Sequence, residues 1–176
     1  MELNIRKEEQ ADYPFVFDLV KKAFQAEAMS DHKEQYLVER LRKSGSFREE
    51  LSIVAEKDGK VIGYVLLTEI NIINSQSQSF ISLALAPIAI LPAYQGQGVG
   101  TALMHAAHEK AKELGYGSIV IVGHADYYPR FGYQLAKGYG IKIPFDVPDE
   151  NCFVLELRGK ALRDINGTVV YSAEFG

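Results

Sequence analysis

The sequence predicts a mixed α/β (α+β) fold, a central sheet flanked by helices, on three observations. Stretches in which apolar residues recur at helical spacing alternate with short apolar runs of strand type. Asp58-Gly59 separates two of those runs and is a strong hairpin signal. The helical stretches group early and after an interrupted strand, while the remaining runs join mostly as hairpins. A chain of 176 residues, 47% hydrophobic and 24% charged, matches the make-up of globular proteins, so a single domain over residues 1–176 is expected. Nineteen basic against 23 acidic residues give a net charge of −4, the wrong sign for nucleic-acid binding through phosphates. The lone Cys152 has no partner for a disulfide, the opening residues lack the apolar core of a secretory signal, and no apolar run nears the ~18 residues of a membrane span. A cytoplasmic setting without membrane contact is therefore expected.

Residues 3–6 read as a short strand. From Asp12, a plausible cap, to about Glu27, Phe15, Leu19, Val20 and Phe24 recur at helical spacing. A second amphipathic segment, residues 31–43, sets Tyr36, Leu37, Val38 and Leu41 among charged residues and ends at Ser44-Gly45-Ser46. The period then changes: residues 51–57 read as a strand and residues 61–73 as its antiparallel partner across Asp58-Gly59. Residues 74–78 are polar and turn-like.

The apolar run 80–91 is interrupted by Pro87, which cannot donate a ladder hydrogen bond and so marks an irregularity or an unpaired edge. Residues 99–114 follow as a helix with Val99, Leu103, Ala106, Ala107, Ala111 and Leu114 on one face, Lys110 falling awkwardly within it, and Gly115 as its stop. Residues 118–122 form a short strand of buried type and 126–130 a turn or short helix. A Gly- and Pro-rich stretch from Tyr133 precedes strands at 153–157 and 168–171.

The chemistry concentrates where the interrupted strand meets the helix, in Gln95-Gly96-Gln97-Gly98-Val99-Gly100-Thr101. The first N–H groups of a helix lack intrahelical acceptors and carry the positive end of its dipole, and glycine removes the Cβ that would keep a phosphate away. Thr101 adds a hydroxyl. The phosphate loop G-x-x-x-x-G-K-[ST] fails because no lysine follows Gly100, and the dinucleotide fingerprint G-x-G-x-x-G fails from either Gly96 or Gly98.

The same residues resemble the signature of the GNAT superfamily of acyl-CoA-dependent N-acyltransferases, Gln/Arg-x-x-Gly-x-Gly/Ala between a strand and a helix. The resemblance extends through Ile90-Leu91-Pro92 upstream and through Gly115, residues 118–122 and Tyr128-Pro129-Arg130-Phe131-Gly132-Tyr133 downstream. It covers residues 80–133 closely, which become the cofactor-binding core, and the tail resembles a bacterial subgroup of N-acetyltransferases. It implies a mixed, mostly antiparallel sheet flanked by helices, in which the fourth and fifth strands splay and the cofactor enters the gap. The amides of Gln97, Gly98, Val99, Gly100 and Thr101 would cradle the pyrophosphate of acetyl-CoA, with Gln95 and Gly96 at the entrance. Ile88, Ala89 and Ile90 would offer backbone groups to the pantetheine arm.

Tyr128 stands four residues before Gly132, where the family commonly has a tyrosine that protonates the departing thiolate; Tyr127 is its rival. A phenol of ordinary pKa about 10 suits that role. The asparagine often found ahead of this tyrosine is missing, and Gly123-His124-Ala125-Asp126 stands there instead. The implied reaction is direct attack of a primary amine, of a small molecule or a protein, on the thioester without a metal. Deprotonating a lysine-like ammonium at pH 7 costs about 4.6 kcal/mol, so a base assists. Glu69, His124, Asp126 and Glu174 are the candidates. A non-catalytic acyl-CoA-binding sensor is the other reading. The acceptor, the acyl-chain preference and any homodimer stay open.

Three further features take plain readings. His105 and His108 are expected on a solvated helix face, lacking a third metal ligand; Cys152 is expected to pack in a strand; and Asn166-Gly167-Thr168 is a glycosylation sequon in letters only.

Overall fold

The computed structural model describes residues 2–176, among which lie three α-helices and nine strands. In chain order they are β1 Asn4–Lys7, α1 Tyr13–Phe24, α2 Glu34–Arg42, β2 Ser52–Lys57, β3 Lys60–Ile73, β4 Ser79–Ile90, α3 Val99–Glu113, β5 Ser118–Val122, β6 Gln134–Leu135, β7 Ile141–Lys142, β8 Cys152–Glu156 and β9 Gly167–Val170. The strands follow the order β1-β2-β3-β4-β5-β8-β6, with β9 also beside β3 and β7 beside β9. Pairing is antiparallel for β1·β2, β2·β3, β3·β9, β5·β8 and β6·β8, and parallel for β4·β5 and β7·β9. This is the mixed, mostly antiparallel sheet that the family resemblance implies. No helix among the described residues is long and apolar enough to cross a membrane.

The chain forms two compact units. The first comprises the residues up to Thr68, Ala86–Lys110 and Glu174–Gly176; the second comprises Glu69–Leu85 and Ala111–Ala173. In the first, Val16, Leu19 and Val20 of α1 and Val38 and Leu41 of α2 pack with Val54, Tyr64, Leu66 and Ala89. Phe15, expected on this face, is 65% exposed. Successive helical residues are rotated by about 100°, so once Val16, Leu19 and Val20 point inward Phe15 falls outside the stripe. Tyr36 is likewise exposed, its ring edge-on to Phe17 at 5.3 Å. Asp12 directly precedes α1 but caps nothing there. Its carboxylate accepts from Arg6 at 2.7 and 2.9 Å and from the Glu9 N–H at 2.8 Å, and the bonds from Arg6 hold it below the usual carboxylate range.

Beneath α2, Arg42 donates to Glu8 at 2.5 and 3.2 Å, both side chains being buried, and its guanidinium lies 3.9 Å from the centre of the Tyr13 ring. Ser52 donates to Glu8 and shares a 2.7 Å hydrogen bond with the Tyr64 hydroxyl. Burial raises the Tyr64 pKa and keeps that phenol neutral. No local signal announced this network, because its members come from distant segments.

Between β2 and β3, Asp58 and Gly59 adopt φ of 51° and 77°, the doubly left-handed turn that matches hairpin twist. Gly63 lets α3 approach β3: a Cβ there would lie 2.9 Å from Leu103 Cδ1 and 3.0 Å from Val99 Cγ1. On α3, Val99, Leu103, Ala107 and Ala111 are buried as expected. So are Met104 and His108, whereas Leu114 lies past the helix end and is exposed. The solvated face expected for His108 is thus corrected, because a helix on a sheet buries a broad stripe that here includes positions 104, 108 and 111. Gly115, at φ 92°, ends the helix as expected.

In the second unit, the Asn74 side-chain oxygen accepts from the N–H groups of Gln76 and Gln78, both at 3.0 Å, and closes the β3–β4 turn. β4 and β5 register at Leu83↔Ile119 and Ala84↔Val120, and β5 pairs with β8 from Ser118↔Glu156 to Val122↔Cys152. The strands β6 and β7 were not anticipated, since two residues carry no readable period.

Candidate active site

β4 runs to Ile90, a short 3-10 turn covers Pro92–Tyr94, and α3 begins at Val99. The glycines between them do what their position requires. Gly96 and Gly98 adopt φ of 71° and 87°, values an L side chain rarely takes, and a Cβ at either would meet nothing within 4 Å. Their role is backbone freedom under open space. The Gly98 carbonyl accepts from Ala102 N–H at 3.1 Å. The amides of Val99, Gly100 and Thr101 therefore lie in the first turn, outside the helical ladder, and face the open end of α3. Residues 95–98 and Thr101 are exposed and Val99 is anchored in the core.

The two glutamines brace this turn. Gln95 Nε2 donates to the Ile90 carbonyl at 3.1 Å and Gln97 Nε2 to the Ala93 carbonyl at 3.0 Å. Gln95 thereby ties the loop entrance to the strand exit, a role its letter did not disclose. Of the residues expected to serve as an added strand, Ala89 is buried in the core while Ile88 and Ile90 are half-buried. Leu91 N–H donates to the Ile62 carbonyl at 2.9 Å, which fixes the strand exit to β3.

In the second unit, Tyr128 opens a 3-10 turn over Tyr128–Phe131 that Gly132 ends at φ 94°. Tyr128 is buried, with ring centroids 5.1 Å from Tyr127, 5.8 Å from Tyr133 and 6.1 Å from Phe153. Its ring also lies on the bare backbone of Gly123, where a Cβ would come within 2.2 Å of Tyr128 Cε2. Tyr127 is less enclosed and carries the Arg130 guanidinium 4.7 Å from its ring centre. Burial raises its pKa, and Arg130 opposes that only in part. Tyr133 is raised more strongly by burial. Neither phenol is an anion near neutral pH.

The candidate bases fall in different settings. The Glu69 carboxylate accepts a 2.5 Å hydrogen bond from the Tyr116 hydroxyl. His124 and Asp126 are exposed on the loop after β5, where the His124 carbonyl accepts from Tyr127 N–H at 3.2 Å. Glu174 contributes its backbone carbonyl to Arg40 at 3.1 and 3.2 Å. Cys152 is buried in β8 as expected, and burial together with nearby Asp149 raises its thiol pKa. Among the described residues, no three His, Cys, Asp or Glu side chains are grouped to hold a metal.

Residues 7–133 match the model of the acetyltransferase (GNAT) family. The chain is 35% identical over 127 residues to the uncharacterized N-acetyltransferase YjhQ of Escherichia coli (strain K12), covering 70% of each chain. It is 30% identical over 172 residues to the uncharacterized N-acetyltransferase YhbS of the same strain, covering 97% of each. The crystal structure of E. coli YhbS in complex with CoA superposes with a TM-score of 0.88 at 29% identity, over 99% of this chain and 92% of that one. A GNAT family acetyltransferase from Brucella melitensis in complex with acetyl-CoA gives 0.81 at 27% identity, over 99% of both. With the glycine turn at the head of α3, the parallel β4·β5 pair and this agreement over nearly its whole length, the chain belongs to the GNAT family of acetyltransferases.

Proposed function

We propose that residues 1–176 act as one acetyl-CoA-dependent N-acetyltransferase domain that transfers an acetyl group to a primary amine of a small molecule or protein by direct attack. The observation that carries this reading is the turn at 95–101: two glycines at positive φ, open space above them, and first-turn amides facing outward from α3. Such a turn suits a multiply charged pyrophosphate, and the relatives solved with CoA and acetyl-CoA support that ligand. We place the reaction in the cytoplasm, in keeping with the single cysteine.

Acetyl-CoA supplies the acetyl group as an activated thioester. The amides of Gln97, Gly98, Val99, Gly100 and Thr101 hold its pyrophosphate, with Gln95 and Gly96 shaping the entrance. Backbone groups of Ile88, Ala89 and Ile90 align the pantetheine arm. The Tyr128 hydroxyl protonates the departing sulfur, and its enclosed ring gives that proton a defined origin. His124 or Asp126 takes the proton of the incoming ammonium, both being exposed to water through which it can leave. Glu69 is the weaker base, since Tyr116 already occupies its carboxylate.

Thiol release from acetyl-CoA across a panel of amines, paired with calorimetric titration of CoA, tests the reading. Turnover with at least one amine is expected. CoA binding with no turnover on any amine points to a sensor, and absence of binding ends both readings.

A further inference from the structure

From Val61 to Glu109 the chain contains no lysine or arginine. β4, the glycine turn and most of α3 thus bring no permanent positive charge to the proposed coenzyme site. Coenzyme A carries a pyrophosphate and, on its ribose, a 3′-phosphate monoester of about −1.5 to −2 charge at pH 7. The outward amides of a helix end supply the equivalent of about half an elementary charge, so they leave most of that anion unbalanced.

The fold brings two cations to the turn from the preceding hairpin. Lys57 closes β2 and Lys60 opens β3, facing one another in register across the Asp58-Gly59 turn. Their ammonium nitrogens lie 5.7 and 5.9 Å from the ring centre of Tyr94, the residue immediately before Gln95. Leu91 N–H to the Ile62 carbonyl ties this hairpin to the β4 exit, so the placement follows from the sheet. An aromatic face attracts ammonium groups without neutralising them. Two like charges beside one ring at an exposed turn outnumber the single carboxylate of Asp58 between them in sequence and leave a net positive charge suited to a compact dianion.

We propose that Lys57 and Lys60, held on Tyr94, recognise the 3′-phosphate of the coenzyme. This rests on the acetyl-CoA reading above. It deepens that reading by assigning the adenosine end of the coenzyme to the β2–β3 hairpin, while the glycine turn takes the pyrophosphate. It makes the protein discriminate CoA from 3′-dephospho-CoA through side chains outside the glycine motif.

Calorimetric titration of both compounds into the wild-type chain, Lys57→Gln/Lys60→Gln, Lys60→Gln alone and Tyr94→Leu tests it, with a thermal melt of each to establish folding. The wild type is expected to prefer CoA by roughly five- to ten-fold at low ionic strength, and salt should erode that preference. In the double variant the preference falls to about unity while affinity for 3′-dephospho-CoA holds within about two-fold. Lys60→Gln, at an exposed position, and Tyr94→Leu give intermediate ratios. An unchanged preference in the double variant overturns the assignment, as does an equal loss for both compounds, which would mean that the lysines act through the turn itself. A wild type that binds both compounds equally defeats this assignment alone; one that binds neither defeats the coenzyme reading with it.

Discussion

Residues 95–101 and residues 123–133 both depend on glycine, for opposite physical reasons. In the first stretch, Gly96 and Gly98 stand beneath open space and are required by their positive φ. The chemistry proposed there belongs to the backbone, and the side chains of Gln95 and Gln97 brace it by donating to backbone carbonyls. In the second, Gly123 is required because the Tyr128 ring fills the volume that a Cβ would need. The chemistry proposed there belongs to a side chain, whose ring sits against bare backbone. Glycine therefore marks conformation in one place and volume in the other, and substitutions separate the two.

The largest effect is expected at the aromatic site. Tyr128→Phe keeps the ring and removes the proposed acid, so kcat should fall by about 100-fold while CoA affinity is unchanged. Steady-state kinetics beside calorimetry checks this, and unaltered turnover would remove Tyr128 from the mechanism. Next is Gly123→Ala, which overpacks the site and should cost about 1–3 kcal/mol in denaturant unfolding. Pairing it with Tyr128→Leu should recover part of that loss, and additivity between the two would show that ring and glycine are not the coupled pair. Gly98→Val forces a β-branched residue into the left-handed region at a cost of about 1–2 kcal/mol. Its larger mark should be on CoA affinity, weakened about ten-fold as the amides turn away. The smallest effect is that of Gln95→Ala, which removes a single bond to the Ile90 carbonyl and should change CoA affinity by no more than about 1 kcal/mol. A larger loss would show Gln95 touching the ligand itself, and the comparison between backbone and side-chain chemistry would need redrawing.

Legibility followed the same division. The glycine turn, the Asp58-Gly59 hairpin, the Gly115 stop and the 118–122 strand were readable because each is a local matter of φ, period or helix end. The proposed acid was located through a resemblance around Gly132, but its seat on Gly123 and between the rings of Tyr127, Tyr133 and Phe153 was not visible in any window. Phe15 and His108 depart from the helical pattern in opposite directions, one expected inward and exposed, the other expected outward and buried. Periodicity identifies a stripe without stating how wide the packed face becomes.

By itself, the amino-acid sequence determined an α/β fold with a glycine turn at the head of its third helix, because backbone conformation at glycine and helix ends depends on near neighbours. Tertiary structure alone decided which side chains stand together: Lys57 and Lys60 on Tyr94, Tyr116 on Glu69, and Glu8 between Arg42 and Ser52. Those pairings join residues 34 to 47 positions apart. At such separations only strand register and helix packing bring charges and hydroxyls within bonding range.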